Sequence, residues 1–331
     1  MWIRRQGMVE QDIYMLGTSE VPVYLIRHGA TWTLVEGGVT PLGPRLLGQL
    51  LAMVEDLSAI ESWVITHSHY DHCGLLSTLY GFLPNVTIYA SKPATQAFHS
   101  RGTQRVVRKL NEEALKLWNR VDSQFSQSVH ETLLCDLPVV GLRDGDRIPL
   151  GDFGCLIAMA TPGHSNCSMS FYEPDRGWLF TGDALGELQE PGTWCPLVFD
   201  GVQDYISSIK RMASLNLDAV FLGHHGVLTG QDALAAPVDA LQAVYQLKAQ
   251  VAFAHRAGPS HLNDFIRSQS DLYAPVSEKF VSRQLHRQSM VRMSELLIED
   301  AYSTSFSGPA LGAASAEHEF NSFKINLRRS A

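Results

Sequence analysis

The chain reads as an α/β protein in which two sheets are sandwiched between helices, an αββα arrangement. Three observations point there. β-rich runs fill the first forty or so residues, strands and helices alternate from Leu42 to Phe125, and a second set of strands follows from Leu134. Four apolar runs also end on His or Asp, which gathers ligand-type side chains at one edge of the sandwich. The length agrees: 331 residues, 45% of them hydrophobic, bury a large core, and one domain of about 230 to 250 residues plus an appendage is the economical parse.

Taken in order, Asp12–Gly17, Val21–Ile26 and Thr31–Gly38 are β-rich runs divided by turn residues, and they predict an antiparallel meander. Leu42–Glu55 carries apolar residues at helical spacing, and Ile60–Thr66 is a buried strand. Leu75–Leu83 then reads as helix and Val86–Ala90 as strand. Ala94–Phe125 is mainly helical, with an apolar stripe and a basic face in Val106–Leu110 and Ala114–Trp118. It predicts a solvated helix hairpin that walls a cleft. Turns at Asp144-Gly145-Asp146 and Pro174–Gly177 punctuate the later strands, and Leu262–Leu272 and Lys279–Ile298 return to helical periodicity.

Composition excludes several functions. A net charge of -8 argues against a nucleic-acid groove, which needs clustered Lys and Arg to replace counterions. No apolar run is long enough to span a bilayer, and no apolar signal core follows Met1–Gln6, so no membrane and a cytoplasmic location are expected. Cys73, Cys135, Cys155, Cys167 and Cys195 are odd in number and scattered, which does not make a disulfide framework. Cys73 reads as a small buried thiol.

The chemistry lies in Thr66-His67-Ser68-His69-Tyr70-Asp71-His72-Cys73-Gly74, directly after the apolar run Trp63-Val64-Ile65. In an extended segment His67 and His69 point to the same side and can grip one ion. The turn that follows swings Asp71 and His72 toward a second. The spacing predicts two metals. Three further strands end alike: Cys155–Ala160 before His164, Trp178–Phe180 before Asp183, and Ala219–Leu222 before His224 and His225. Either histidine of that last pair can ligate by position alone. Histidine and aspartate ligands suit Zn, Fe and Mn.

This order of motifs resembles the metallo-β-lactamase fold superfamily from about Asp12 to His225. The resemblance implies that His67, His69 and His164 hold one metal, that Asp71, His72 and His224 hold the other, and that Asp183 bridges them. It makes His225 a supporting or surface histidine, and it implies the αββα layering with loops gathered over the site. A closer resemblance lies in Thr66–Leu76, Leu83–Val86, Val106–Asn111, Gly182–Glu187, Pro196–Asp200 and Ser289–Met293. These are similar to the family of the quinolone signal response protein PqsE. That family implies a metal-dependent thioesterase acting on 2-aminobenzoylacetyl-CoA in alkylquinolone synthesis, with iron often at the site.

The same resemblance implies a hydrolase domain over residues 8–240 and helices over 241–302 that form a lid on the cleft; the tail over 303–331 extends past it, is rich in Ser, Ala and Gly, and is expected to be flexible or to pack late onto the lid. Ser277, His286 and Ser289 become cleft-facing candidates. Glu187, just past Asp183, is either a contact to substrate or water, or a surface carboxylate. The helix around Ala243–Arg256 carries only Lys248 and Arg256, so docking to a transcription factor is not expected. The aliphatic last hundred residues leave room for a homodimer face.

Catalytic roles are expected at Asp71, which orients the nucleophile, and at Asp183. Two divalent ions lower the pKa of a shared water and polarise a carbonyl, which makes hydrolysis the natural reaction. No strong acid for an alkoxide leaving group is evident, and a thiolate needs none. The expected substrate is an acyl-CoA or acyl-carrier thioester of β-ketoacyl or aroylacetyl type. A lactonase or glyoxalase II-like hydrolase would use the same ligands, and a regulatory binding protein with a retained metal site is the alternative outside enzymes.

Overall fold

A computed structural model describes residues 1–119, 133–190, 192–272 and 281–305. The first sheet has the order β2 (Gly7–Glu10), β3 (Ile13–Gly17), β4 (Pro22–His28), β5 (Thr31–Val35), β6 (Ile60–Val64), β7 (Thr87–Ser91), β8 (Val139–Leu142). Strands β3 to β5 pair antiparallel as the expected meander, β2 extends it by one antiparallel strand, and β5 to β8 pair parallel. The second sheet runs β1 (Trp2–Ile3), β16 (Val227–Thr229), β15 (Ala219–Leu222), β12 (Trp178–Gly182), β11 (Met169–Glu173), β10 (Cys155–Ala160), β9 (Arg147–Pro149). A small ribbon, β13 (Glu187–Gln189) with β14 (Thr193–Cys195), stands beside it.

Alternation along the strands builds the layers. In β4, Tyr24 and Ile26 face the second sheet, where they join Phe171, Phe180 and Phe221 in a core between the sheets. Val23 and Leu25 face the other way, into a core shared with α1 (Gly43–Met53), α3 (Leu76–Leu79), α4 (Lys92–His99) and α5 (Arg101–Asn119). The outer face of the second sheet packs on α6 (Val202–Met212), α7 (Gln231–Arg256), α8 (Pro259–Leu272) and α9 (Arg283–Ser305). The αββα reading therefore holds. Between the sheets Phe180 and Phe221 stack at 4.4 Å, and Tyr24 meets both edge-on.

Several boundaries differ from expectation for local reasons. The run Thr31–Gly38 leaves the sheet at Val35, because Glu36 adopts a left-handed φ of 77° and Gly37 must pass under the His72 carbonyl. The stretch 94–125 is two helices, broken where Ser100 is extended, and residues 120–125 lie outside the described ones. Helix α7 runs unbroken through residue 240, and β1 precedes residue 8. Residues 303–305 continue α9, while 306–331 lie outside the described residues. Among the described residues no helix is long and apolar enough to cross a membrane.

Gly163 fixes the loop that carries His164. Its φ is +124°, and an added Cβ would lie 2.3 Å from the Tyr205 backbone on α6. Gly163→Ala should therefore destabilise the fold by about 1–3 kcal/mol, the scale of stored backbone strain, and a urea denaturation series on the metal-free protein reads it.

Candidate metal centre

The ends of β6, β10, β12 and β15 converge at one edge of the sandwich. After β6, the chain is caught by Ile65 N–H on the Tyr89 carbonyl and by Met169 N–H on the Thr66 carbonyl. The short helix α2 (Tyr70–Cys73), with His69 at its N-cap, then turns Asp71 and His72 into the same space. Two donor groups result. His67, His69, His164 and Asp183 form one, and Asp71, His72 and His224 form the other.

Distances show how closely the donors meet. His164 Nε2 lies 3.1 Å from His67 Nε2 and 2.9 Å from His69 Nδ1, and His72 Nε2 lies 3.2 Å from His224 Nε2. Asp183 stands between the groups. Its Oδ2 is 3.3 Å from His164 and 3.8 Å from His67, while Oδ1 is 3.4 Å from His72 and 3.5 Å from His224. Asp71 reaches the second group through Oδ2, 3.7 Å from His224 Nε2.

In four of the rings the outward nitrogen is committed elsewhere, which turns the other nitrogen toward the centre. His164 Nδ1 donates to the Leu197 carbonyl at 2.8 Å, and His224 Nδ1 donates to the Glu20 carbonyl at 2.7 Å. His72 Nδ1 donates to Glu36 Oε2 at 3.0 Å. His67 Nδ1 donates to Thr66 Oγ1 at 3.1 Å, whose own hydroxyl donates to Glu36 at 2.9 Å. One buried carboxylate thus orients a histidine in each group.

Electrostatics follow from this geometry. Burial, reinforced by His72, His69 and His164, pushes His67 well below the usual imidazole range. Burial likewise pushes His164 down to about 3 and lowers His69. These rings are neutral, and their lone pairs converge. Around His72 burial opposes protonation, yet Asp183, Glu36 and Asp71 outweigh it and hold the ring well above its ordinary value. Burial alone would raise Asp183, but His72, His224 and His164 keep its carboxyl well below the usual range.

Converging lone pairs and buried carboxylates demand positive charge in the space between them. Asp183 Oδ1 is buried without a hydrogen-bond partner, which a cation would supply. The donor chemistry of both groups fits a dinuclear metal site.

The site opens into a cavity of about 540 Å³ between α5 and α9. Val106, Val107 and Leu110 of α5 form one wall, and Leu285, Met290 and Met293 of α9 form the other. His286 and Ser289 also line it. Glu187 lines it too, but as a buried residue of the ribbon: His225 Nε2 donates to its Oε1 at 2.5 Å and Gln189 donates to its Oε2 at 3.1 Å. It is not a surface carboxylate. His225, with φ of 66°, points to Glu187 and lies in neither donor group. Ser277 lies outside the described residues. Sequence reasoning missed Glu36, whose only signal is a carboxylate closing an apolar strand just before Gly37-Gly38.

Residues 16–224 match the family model described as the metallo-beta-lactamase superfamily. The chain belongs to the metallo-beta-lactamase superfamily. Among curated members, it is 28% identical over 224 residues to the human acyl-coenzyme A thioesterase MBLAC2, covering 62% of this chain and 72% of that one. It is 22% identical over 214 residues to a hydroxyacylglutathione hydrolase of Legionella pneumophila strain Paris, covering 63% of this chain and 66% of the relative. Solved superfamily structures show the same fold. The family protein TTHA1429 of Thermus thermophilus superimposes with a TM-score of 0.51 at 20% identity, covering 89% of this chain and 96% of that one.

Two outcomes follow for the metal centre. Glu36→Gln weakens the charge and orientation behind His67 and His72, so metal affinity should fall about 10- to 100-fold, read by competition against a chromophoric chelator. Stripping the metal should lower the melting temperature, because the converging donors, Asp183 Oδ1 among them, lose the cation that compensates their burial, and calorimetry with and without chelator shows it.

Proposed function

We propose that this chain is a dinuclear metal-dependent thioesterase. Its substrate is a β-ketoacyl or aroylacetyl thioester, similar to 2-aminobenzoylacetyl-CoA, in alkylquinolone or related secondary metabolism. The observation that carries the reaction class is the placement of both donor groups, joined through Asp183, at the floor of a cavity with apolar walls. Two curated relatives act by name on acyl groups carried by thiols, which supports the same class.

His67, His69 and His164 would hold one cation, Asp71, His72 and His224 the other, and Asp183 would bridge them; zinc, iron and manganese all suit these donors. Bound there, two divalent ions supply Lewis acidity to a water and to a carbonyl oxygen. Asp71, at the start of α2 and open to the cavity, orients the water by accepting its proton into a hydrogen bond. The apolar walls exclude bulk water from the acyl group.

The leaving group favours sulfur. Apart from the metal-ligand candidates, the side chains of this cavity that could give up a proton are poor acids at neutral pH. Although burial opposes it, the bond from His225 holds Glu187 below the ordinary carboxylate range, so it is ionised. Burial lowers His286, which is neutral. Its ring donates to the Ser270 carbonyl and leaves Nε2 bare and buried. Ser289 spends its hydroxyl proton on the Leu285 carbonyl at 3.1 Å. A thiolate leaves without an acid, and an alkoxide does not.

These same atoms bear on the acyl group. Glu187, His286 Nε2 and Ser289 Oγ all offer lone pairs, so an acyl group carrying an N–H or O–H donor on an aromatic body suits them. A glyoxalase II-like reaction on an acylglutathione is the second reading, favoured by the Legionella relative.

Steady-state hydrolysis by metal-loaded protein decides between them. CoA release from aroylacetyl-CoA is expected to exceed turnover of lactoylglutathione and of lactones, with Asp71→Asn reducing kcat at least about 100-fold while leaving the fold intact. Turnover confined to lactoylglutathione or lactones overturns the substrate, and no turnover of any ester overturns the enzyme. Replacing His286 by Phe should raise KM for a 2-aminoaroyl substrate by about tenfold more than for its unsubstituted counterpart, measured on matched thioesters.

A further inference from the structure

Helix α5 walls the cavity with Thr103, Val106, Val107 and Leu110, but its outer surface has a different character. Between residues 101 and 111 it carries Arg101, Arg105, Arg108 and Lys109 and no carboxylate, in a chain whose net charge is -8. All four are exposed. Arg101 with Arg105, and Arg105 with Lys109, stand one turn apart, which places like charges side by side and disfavours the helix. Glu112 and Glu113 begin only at the next turn, where they meet Arg108 at 3.1 Å and Lys109 at 3.9 Å. Such exposed pairs contribute little and do not neutralise the stripe.

The stripe adjoins the cavity mouth. Val106 lines the cavity and is also 56% exposed, so it sits on the rim. Arg105 precedes it in sequence, and Lys109 lies on the next turn of the same side. Over this rim, between α5 and α9, there is a way out for a thiol carrier attached to an acyl group in the cavity. Its distal end then meets the cationic surface of α5.

We propose that the Arg101–Lys109 stripe of α5 is a phosphate-binding subsite that recognises the nucleotide end of coenzyme A. This rests on the thioesterase reading and deepens it by naming the carrier. Glutathione carries no phosphate and has an ammonium among its carboxylates. Coenzyme A carries a pyrophosphate and a 3′-phosphate at the end of a long neutral arm. Guanidinium groups recognise phosphate with paired hydrogen bonds, and the polyanion relieves the repulsion along the stripe.

The test compares one acyl group on coenzyme A and on N-acetylcysteamine, using metal-loaded wild type and the double variant Arg105→Gln, Lys109→Gln. The variant should raise KM for the coenzyme A thioester about tenfold, leave kcat unchanged, and leave the N-acetylcysteamine thioester unaffected, which also reports an intact fold. Equal KM values for the coenzyme A thioester in both proteins overturn the subsite. Calorimetric titration with free coenzyme A separates this failure from that of the thioesterase reading. If no thioester is hydrolysed, saturable coenzyme A binding that the variant weakens about tenfold still supports the subsite. Absent binding, or binding that the variant leaves unchanged, overturns it.

Discussion

The buried convergence of imidazole lone pairs on Asp183 is the constraint around which the rest of the molecule is arranged. Neutral nitrogens of His67 and His69 at 3.1 and 2.9 Å from that of His164 repel it, and carboxylates in a dry site are costly to bury. Without a cation the arrangement is unfavourable, so other parts of the chain must hold it. They do so from behind: Glu36 grips His72 and, through Thr66, His67, while backbone carbonyls of Leu197 and Glu20 fix His164 and His224. Each of these anchoring carboxylate and carbonyl groups comes from a different element than the ligand that it orients. The centre is therefore a property of the closed sandwich and not of any single loop.

That dependence explains what was readable beforehand. The strands, the layering and the clustering of His67, His69, Asp71 and His72 are local in sequence, because period-two alternation and the spacing of donors after a strand do not need the rest of the fold. The same is true of the apolar stripe of α5. Glu36 is another matter. Its role depends on a left-handed turn at its own position and on meeting Thr66 and His72 across the sheet. Nothing in Thr31–Gly38 announces either, since a carboxylate after a strand ordinarily faces solvent. Glu187 was ambiguous for a related reason: its burial is created by β14 and by His225, which lie beyond the motif that contains it.

Helix α9 shows how a wall can be separate from the chemistry. It contributes Leu285, Met290 and Met293 to the cavity but no donor to either metal group. Its far end is tied down by Asp300, which pairs in charge with Lys248 at 2.6 Å and accepts a hydrogen bond from Gln203 at 2.9 Å, linking α9 to α7 and α6. The shape of the acyl pocket is thus set by helix packing on the second sheet, while the ligand set belongs to strand ends. Substitutions on α9 alter what enters without touching the donors, and this division suits a fold whose members carry different substrate names.

Strand β1 adds an order of events to this picture. It completes the second sheet by pairing with β16, and the Trp2 indole donates at 2.8 Å to the carbonyl of His225, 223 residues later. Ile3 also packs so closely on Gly226 that no side chain fits there. Strand β1 therefore gains its partner only once the loop bearing His224 has been made. During synthesis the nascent chain can assemble the meander and the His67–His72 turn early, yet half of its metal-binding pocket does not exist until almost the whole of the second sheet has emerged. The complete set of donors is accordingly assembled only when the second sheet closes, with β1 pairing beside the loop that bears His224.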